Sequence, residues 1–265
     1  MTIDGVARTR LDKAAEDGGF GVPDSGASTD AWRLYRAHGV SARLLLGVAA
    51  GGGYLIGVDH GGAAAELSAE RATEVDIDPA APPPPGFALF RTGDSGELQR
   101  LVNQVWAMAR SLPDAPLQRF QARVQALTLP SETEIRREVT QRIGQDVFRE
   151  ALIDFWGGAC AVTGVENQRL LRASHIKPWA SSDDEERLNV YNGLLLAAHL
   201  DAAFDAGLMT FDADGASRLS PALAPGDAER LGLSPALRLR AISPEHEGFL
   251  VFHRAEVFQF DAAPG

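Results

Sequence analysis

The amino-terminal half of the chain alternates short apolar segments with glycine-rich breaks. Two β-prone runs, residues 42–50 (ARLLLGVAA) and 53–58 (GYLIGV), flank a glycine cluster, which predicts a β-hairpin. Residues 97–112 (ELQRLVNQVWAMARSL) and residues 117–127 predict two helices. In the first helix the apolar side chains recur at helical spacing: Leu98, Leu101, Val105, Met108 and Leu112. The pattern therefore predicts a small mixed α/β domain.

The segments around this domain set its predicted bounds. Residues 1–30 are rich in glycine, aspartate, serine and alanine without a hydrophobic period, which predicts a flexible arm. Residues 78–86 (DPAAPPPPG) predict a stiff extended loop, since consecutive prolines fix φ. Ser131 and Glu134 have the spacing of a capping box, which would begin a helix that runs to about Phe155. We therefore expect an amino-terminal domain at residues 31–128 and a second domain at residues 129–265.

Composition restricts the class of protein. No run approaches the roughly 20 apolar residues of a membrane helix, and the basic residues near the amino terminus are not followed by an apolar core, so neither membrane insertion nor secretion is expected. Cys160 is the single cysteine, which allows neither an intramolecular disulfide nor a cysteine-based zinc site and fits a cytoplasmic location. The net charge of −11 argues against a broad, sequence-blind polyanion binder.

The pattern after Cys160 predicts a strand, a loop, a second strand and a short helix. CAVTG is interpreted as a short strand entering a tight turn, and LLRASHI as a strand that ends at the Lys177-Pro178 interruption. His175 then lies at a strand end. Asn192-Gly193 predicts a turn before the apolar strand LLLAA, and HLDAAFDAG predicts a helix that stops at its last glycine.

The order CxxTG, xxHIxPW, NGLLL and FDxG resembles the HNH endonucleases, and the resemblance covers about residues 136–258. It implies an α+β fold, with a carboxy-terminal ββα-metal domain behind the small mixed domain. It also implies a hydrolase that cuts phosphodiester bonds of DNA with a divalent cation, Mg²⁺ or Mn²⁺. In this interpretation His175 is the general base, Asn192 holds His175 in orientation, and Asp201 binds the metal.

The sequence departs from the family pattern at two metal positions. Asp201 stands at the final histidine position, and Ser174 stands before the base where an aspartate is often found. His199 is a second candidate ligand, although residues two apart on a helix do not share a face. The candidate metal set is therefore Asp201, His199 and Ser174, and Asp205 is interpreted as structural. The structural zinc that many members hold on four cysteines is not expected here.

Two basic residues flank the predicted base. Lys177 and Arg172 are the candidates for contact with DNA phosphates. We expect a DNA endonuclease of restriction or antiviral phage defence. Its amino-terminal domain would recognise DNA, including modified bases, or sense a signal. The resemblance also favours a homodimer, since one ββα-metal site normally cuts one strand. The alternative is a DNA-binding or regulatory protein whose nuclease centre is degenerate.

Overall fold

The computed structural model of the chain describes residues 3–26, 28–70, 82–127 and 133–260. It divides into two compact units, Met1–Leu112 and Pro113–Gly265, which we describe separately. The sequence pattern predicts a division at residues 128/129 instead, so the helix predicted at 117–127 falls in the second unit. The proposed cap at Ser131 and residues 78–81 of the proline-rich segment lie outside the described residues. No helix in the described ranges combines the length and apolarity needed to cross a membrane.

The first unit is an antiparallel meander with helices packed against it. Its five strands follow chain order in the sheet, each paired with the next. The predicted hairpin is its centre, where Leu44–Val48 pairs with Tyr54–Val58. The strands are β1 (Val22–Pro23), β2 (Trp32–Arg36), β3 (Leu44–Val48), β4 (Tyr54–Val58) and β5 (Ala88–Thr92), and the helices are α1 (Gly5–Asp17), α2 (Gly61–Glu70) and α3 (Ser95–Ser111).

Helix α1 occupies the segment for which the sequence composition predicts a flexible arm. Asp4 caps it by accepting a hydrogen bond from the backbone N–H of Ala7. Leu11 is fully buried, and Asp12 accepts hydrogen bonds from Arg33 and from the hydroxyl of Tyr35 on β2. The composition did not reveal this helix because its apolar positions are few: its buried residues are Leu11, Ala14 and Ala15.

The second unit holds the segment that resembles a nuclease. Its helices are α4 (Ala115–Gln125), α5 (Thr133–Phe155), α6 (Ala198–Asp205), α7 (Pro225–Arg230) and α8 (Glu247–Glu256), and its strands are β6 (Leu171–His175), β7 (Gly193–Ala197), β8 (Met209–Phe211) and β9 (Ser217–Leu219). Strands β6 and β7 pair antiparallel, and α6 follows β7 directly and packs on both. This is the predicted order of two strands and a helix. The long α5 packs against the same two strands.

The described carboxy-terminal segment fastens the ββα unit through a buried histidine. The ring of His253, on α8, stacks on Phe204 of α6 with centroids 3.8 Å apart. Its Nε2 lies 3.2 Å from the carbonyl of Phe204, and its Nδ1 lies 2.9 Å from the hydroxyl of Thr210. Since a carbonyl can only accept, Nε2 carries the hydrogen and Nδ1 accepts from Thr210. Burial lowers the pKa of His253 to about 4, so the ring is neutral near pH 7.

We predict that acid weakens the second unit through this histidine. The pKa of an unfolded histidine is about 6.5, so between pH 6.5 and 4 the unfolded state binds more protons and the free energy of unfolding decreases as the pH is lowered. His253 alone should account for about 2 kcal/mol between pH 7 and pH 5. Urea unfolding of His253→Gln should show a shallower pH dependence than the native chain, whatever its stability at pH 7. Equal pH dependences would contradict the prediction.

Candidate active site

His175 ends strand β6 and is held by aromatic rings on two sides. Its backbone pairs with Gly193 at the start of β7. Its ring stacks on Phe148 of α5, with centroids 3.8 Å apart and planes 16° apart, and meets the ring of Trp179 edge-on at 5.4 Å. These contacts fix the plane of the imidazole and therefore the direction in which each of its two nitrogens points.

One hydrogen bond sets the protonation state of this ring. His175 Nε2 lies 3.0 Å from the backbone carbonyl of Arg187, and a carbonyl oxygen can only accept, so Nε2 carries the hydrogen. Nδ1 then keeps its lone pair, and no group in the described ranges hydrogen-bonds to it. Burial lowers the pKa of His175 to about 4, the Arg187 carbonyl opposes the shift, and the Arg187 charge adds to it. His175 is therefore a neutral imidazole with Nδ1 able to accept a proton.

Gly193 is what lets α5 approach β7 closely enough to support this ring. A Cβ at this position would lie 2.5 Å from the ring of Phe148 and 2.8 Å from the side chain of Leu152. Both distances are far below van der Waals contact. The glycine of the NGLLL motif is thus required by packing beneath the histidine, beyond any role in a turn.

Asn192 is fully buried and fastens the loop that follows β6. Its Oδ1 accepts a hydrogen bond from the backbone N–H of Lys177 at 2.7 Å. Its Nδ2 lies within 3.0–3.3 Å of the carbonyls of Lys177 and Glu186 and the hydroxyl of Ser182. The residue after Glu186, Arg187, supplies the carbonyl that His175 donates to. Asn192 therefore acts on His175 through the loop, without touching the ring.

Two aspartates and a serine lie together on the other side of β6. The hydroxyl of Ser174 is 3.2 Å from Oδ1 of Asp205. Burial raises the pKa of Asp201, and hydrogen bonding from Ser174 and the charge of Arg172 oppose that rise. Burial also raises the pKa of Asp205, and the negative charge of Asp201 raises it further. The two carboxylates, one helical turn apart on α6, are thus close enough to repel each other.

Of the predicted metal ligands, Ser174 and Asp201 come together and His199 does not join them. His199 is exposed on α6, two residues before Asp201 and therefore on a different face of the helix. Asp205, for which the sequence favours a structural role, lies beside Ser174 and Asp201 instead. The sequence signal that could have grouped Asp205 with Asp201 is their four-residue spacing, which places both side chains on one face of a helix. Within the described ranges no three His, Cys, Asp or Glu side chains cluster as a metal site.

The two predicted phosphate contacts differ in their surroundings. Lys177 Nζ lies 2.6 Å and 2.7 Å from the carboxylate oxygens of Glu186, and its side chain is only one-fifth exposed. Its charge is therefore already compensated within the protein, which argues against a DNA contact. Arg172 is exposed, and its charge acts on Asp201. It remains a candidate for contact with a phosphate beside the acidic pair.

The CAVTG segment is a turn and not the predicted strand. Cys160 is buried, and its sulfur accepts hydrogen bonds from the backbone N–H groups of Thr163 and Ala197. The Arg240 side chain donates to the carbonyl of Cys160 at 2.8 Å. The thiol thus joins this turn to the end of β7. The sequence predicts a strand here, but backbone bonds within the turn, such as Cys160 N–H to Val165 and Gly164 N–H to Cys160, replace a strand ladder.

Comparison with known families identifies the same segment. Residues 160–212 match the family model described as HNH endonuclease, and they include β6, β7 and α6. No curated protein matches the chain. The ββα segment of the second unit is therefore an HNH endonuclease domain.

We predict that Asn192→Ala destabilises the second unit. The change removes one acceptor and the donors to three oxygens, leaving Lys177 N–H and the Glu186 carbonyl without their partner. Each buried polar group left unpaired costs about 1–3 kcal/mol, so the free energy of unfolding should fall by about 3 kcal/mol or more. Urea unfolding measures it. Asn167→Ala is the matched control, because Asn167 is exposed and caps a single turn. Equal losses in the two variants would contradict the prediction.

Proposed function

We propose that this chain, which carries an HNH endonuclease domain at residues 160–212, is a metal-dependent endonuclease that hydrolyses phosphodiester bonds of DNA, with His175 as its general base. The observation that carries the proposal is the ring of His175. It is neutral, its orientation is fixed by Phe148 and Trp179, and Nε2 is committed to the Arg187 carbonyl. The proton-accepting nitrogen is therefore preorganised at the end of β6.

The histidine would act by accepting a proton from a water molecule as that water attacks phosphorus. A base with a lowered pKa is a weaker base, but it stays unprotonated across the neutral range. The Arg187 carbonyl accepts from Nε2–H and would stabilise the positive charge that develops on the ring. Asn192 would serve as a positioning residue, since it holds the loop that carries this carbonyl.

The acidic pair is suited to a hard divalent cation. Asp201 and Asp205 offer carboxylate oxygens, and Ser174 offers a hydroxyl oxygen, a donor set that favours Mg²⁺ or Mn²⁺ over softer metals. The raised pKa of Asp205 also reflects repulsion from Asp201, which a bound cation would relieve. We propose that these three residues hold the cation. When bound, such an ion stabilises the negative charge on the phosphate and on the leaving oxygen.

The role of the first unit and the biological setting are proposed from the resemblance to HNH endonucleases. We propose that the amino-terminal domain, predicted at residues 31–128, recognises DNA, modified bases included, or senses a signal, and that the protein works in restriction or phage defence in the cytoplasm. A homodimer would let two centres cut both strands.

A second function is favoured by one observation. The described residues offer two acidic ligands to a cation, and a serine stands before the base. A protein with such a site could bind DNA without cutting it, as a regulator with a degenerate centre. Metal affinity separates this alternative from the nuclease, because a working centre must hold its cation when DNA is bound.

We predict that His175→Ala abolishes cleavage and leaves the fold intact. Supercoiled plasmid, modified and unmodified, should be nicked by the native chain with Mg²⁺ or Mn²⁺ and not with EDTA. Removing the base should lower the nicking rate by about 10²–10⁴-fold. The rate of the native chain should hold from neutral pH down to about pH 5 and fall at lower pH, because the pKa of His175 is lowered to about 4. His38→Ala, at an exposed turn of the first unit, is the control. Cleavage by His175→Ala at the native rate would exclude the assigned base.

We predict that Asp201→Asn and Asp205→Asn each weaken Mn²⁺ binding by at least tenfold, and that His199→Ala does not. The reason is that the two aspartates are close together, whereas His199 lies exposed on another face of α6. Calorimetric titration with Mn²⁺, with and without duplex DNA, measures the affinities. Loss of binding in His199→Ala would restore it as a ligand. A native chain that binds no Mn²⁺ under either condition would support the degenerate centre.

A further inference from the structure

An arginine-rich cavity lies beside the histidine, between the first turns of α5 and the loop after β6. Its volume is about 560 Å³, within the range of sites that accept a ligand of nucleotide size. The residues that matter for its chemistry are Arg136, Arg137, Thr140, Trp179, Asp184 and Arg187. Ser174, Asp201 and Asp205 do not line the cavity, so it is distinct from the proposed metal site.

The cavity carries a net positive charge in a protein that is strongly acidic overall. Arg187 is paired with Asp184 at 2.8 Å, and its guanidinium lies over the ring of Trp179. Arg136 and Arg137 are exposed, and neither forms an ion pair with any acidic side chain in the described ranges. Two uncompensated guanidinium groups therefore face one concave surface. By contrast, Arg142 on the same helix pairs with Glu138 at 2.6 Å and does not line the cavity.

Two residues connect this cavity to the reactive centre. Trp179 forms part of the cavity wall and also meets the ring of His175 edge-on. Arg187 lines the cavity with its side chain, and its backbone carbonyl accepts the hydrogen bond from His175. Gly144 allows Trp179 to reach this position, because a Cβ there would lie 2.8 Å from the indole ring. A ligand in the cavity would therefore lie one side chain away from the base.

We propose that this cavity binds the phosphodiester backbone of the DNA strand on one side of the bond that is cut. Guanidinium groups bind phosphate oxygens in a planar, bidentate manner, and two unpaired arginines in a concavity are a better anion site than scattered surface charges. Contacts of this kind fix the register of a strand without reading its sequence. The inference rests on the proposed nuclease function, since it assumes that DNA reaches His175.

The test compares DNA affinity at several salt concentrations. Duplex DNA is titrated into the His175→Ala protein in EDTA, so that neither cleavage nor metal is required. Adding Arg136→Gln and Arg137→Gln should weaken binding by about tenfold or more and lower the salt slope by about two, because two phosphates are no longer neutralised. Arg142→Gln with Arg230→Gln is the matched control, because it removes the same charge from exposed arginines that are paired on their own helices. Circular dichroism checks that α5 remains helical.

Several outcomes would overturn the proposal. It fails if the cavity variant and the control lose equal affinity, or if the salt slope does not change. It also fails if the cavity variant alters binding of inorganic phosphate alone and leaves DNA binding unchanged, since the site would then take a free anion. If the glutamine variant loses helix, the double variant Arg136→Lys with Arg137→Lys replaces it. Lysine keeps the positive charge but cannot bind phosphate in a bidentate manner, so DNA binding should weaken while the salt slope stays unchanged. Plasmid nicking tests the nuclease separately, so its failure leaves these binding results interpretable.

Discussion

The buried amide of Asn192 is the constraint on which the rest of the site depends. It fastens both ends of the loop from Lys177 to Glu186 through the backbone. That loop presents the Arg187 carbonyl to His175 and carries Trp179, which contacts the His175 ring and lines the arginine cavity. A side chain with both a donor and an acceptor is needed, because it must satisfy an N–H and several oxygens at one point. Asparagine meets this need within a fully buried space.

Burial acts in opposite directions on the two parts of the centre. Desolvation disfavours charge, so it lowers the pKa of His175 and raises the pKa values of Asp201 and Asp205. The imidazole is thereby kept in the state that a base requires. The two carboxylates are made costly to ionise side by side, and the cation proposed above would relieve that cost. In the function proposed above, one environment thus prepares the base, His175, and the ligand pair, Asp201 and Asp205.

The sequence was informative where pattern and local structure agree. The strand ending at His175, the strand after Asn192-Gly193 and the helix carrying Asp201 follow from alternation, turn residues and a glycine stop. It was less informative where a turn takes the place of a strand, as at Cys160, whose backbone pairs within the turn and whose sulfur accepts two further hydrogen bonds. Helix α1 was hidden by its sparse apolar positions. The pairing of Lys177 with Glu186 depends on the folded loop, which no local pattern encodes.

The close packing of α5 on Gly193 means that a variant at this position could lose activity while keeping all of the proposed catalytic groups. Alanine there adds one methyl group, which would displace Phe148 or Leu152 and with them the surface on which the imidazole lies. Such a variant would keep every ionisable group of the proposed site but would hold the imidazole of His175 in the wrong plane. In a mutational survey scored by cleavage, this position would resemble a catalytic residue although it has no side chain to offer DNA. Loss of activity on substitution of Gly193 would therefore report how closely α5 packs against β7, and not the removal of a reacting group.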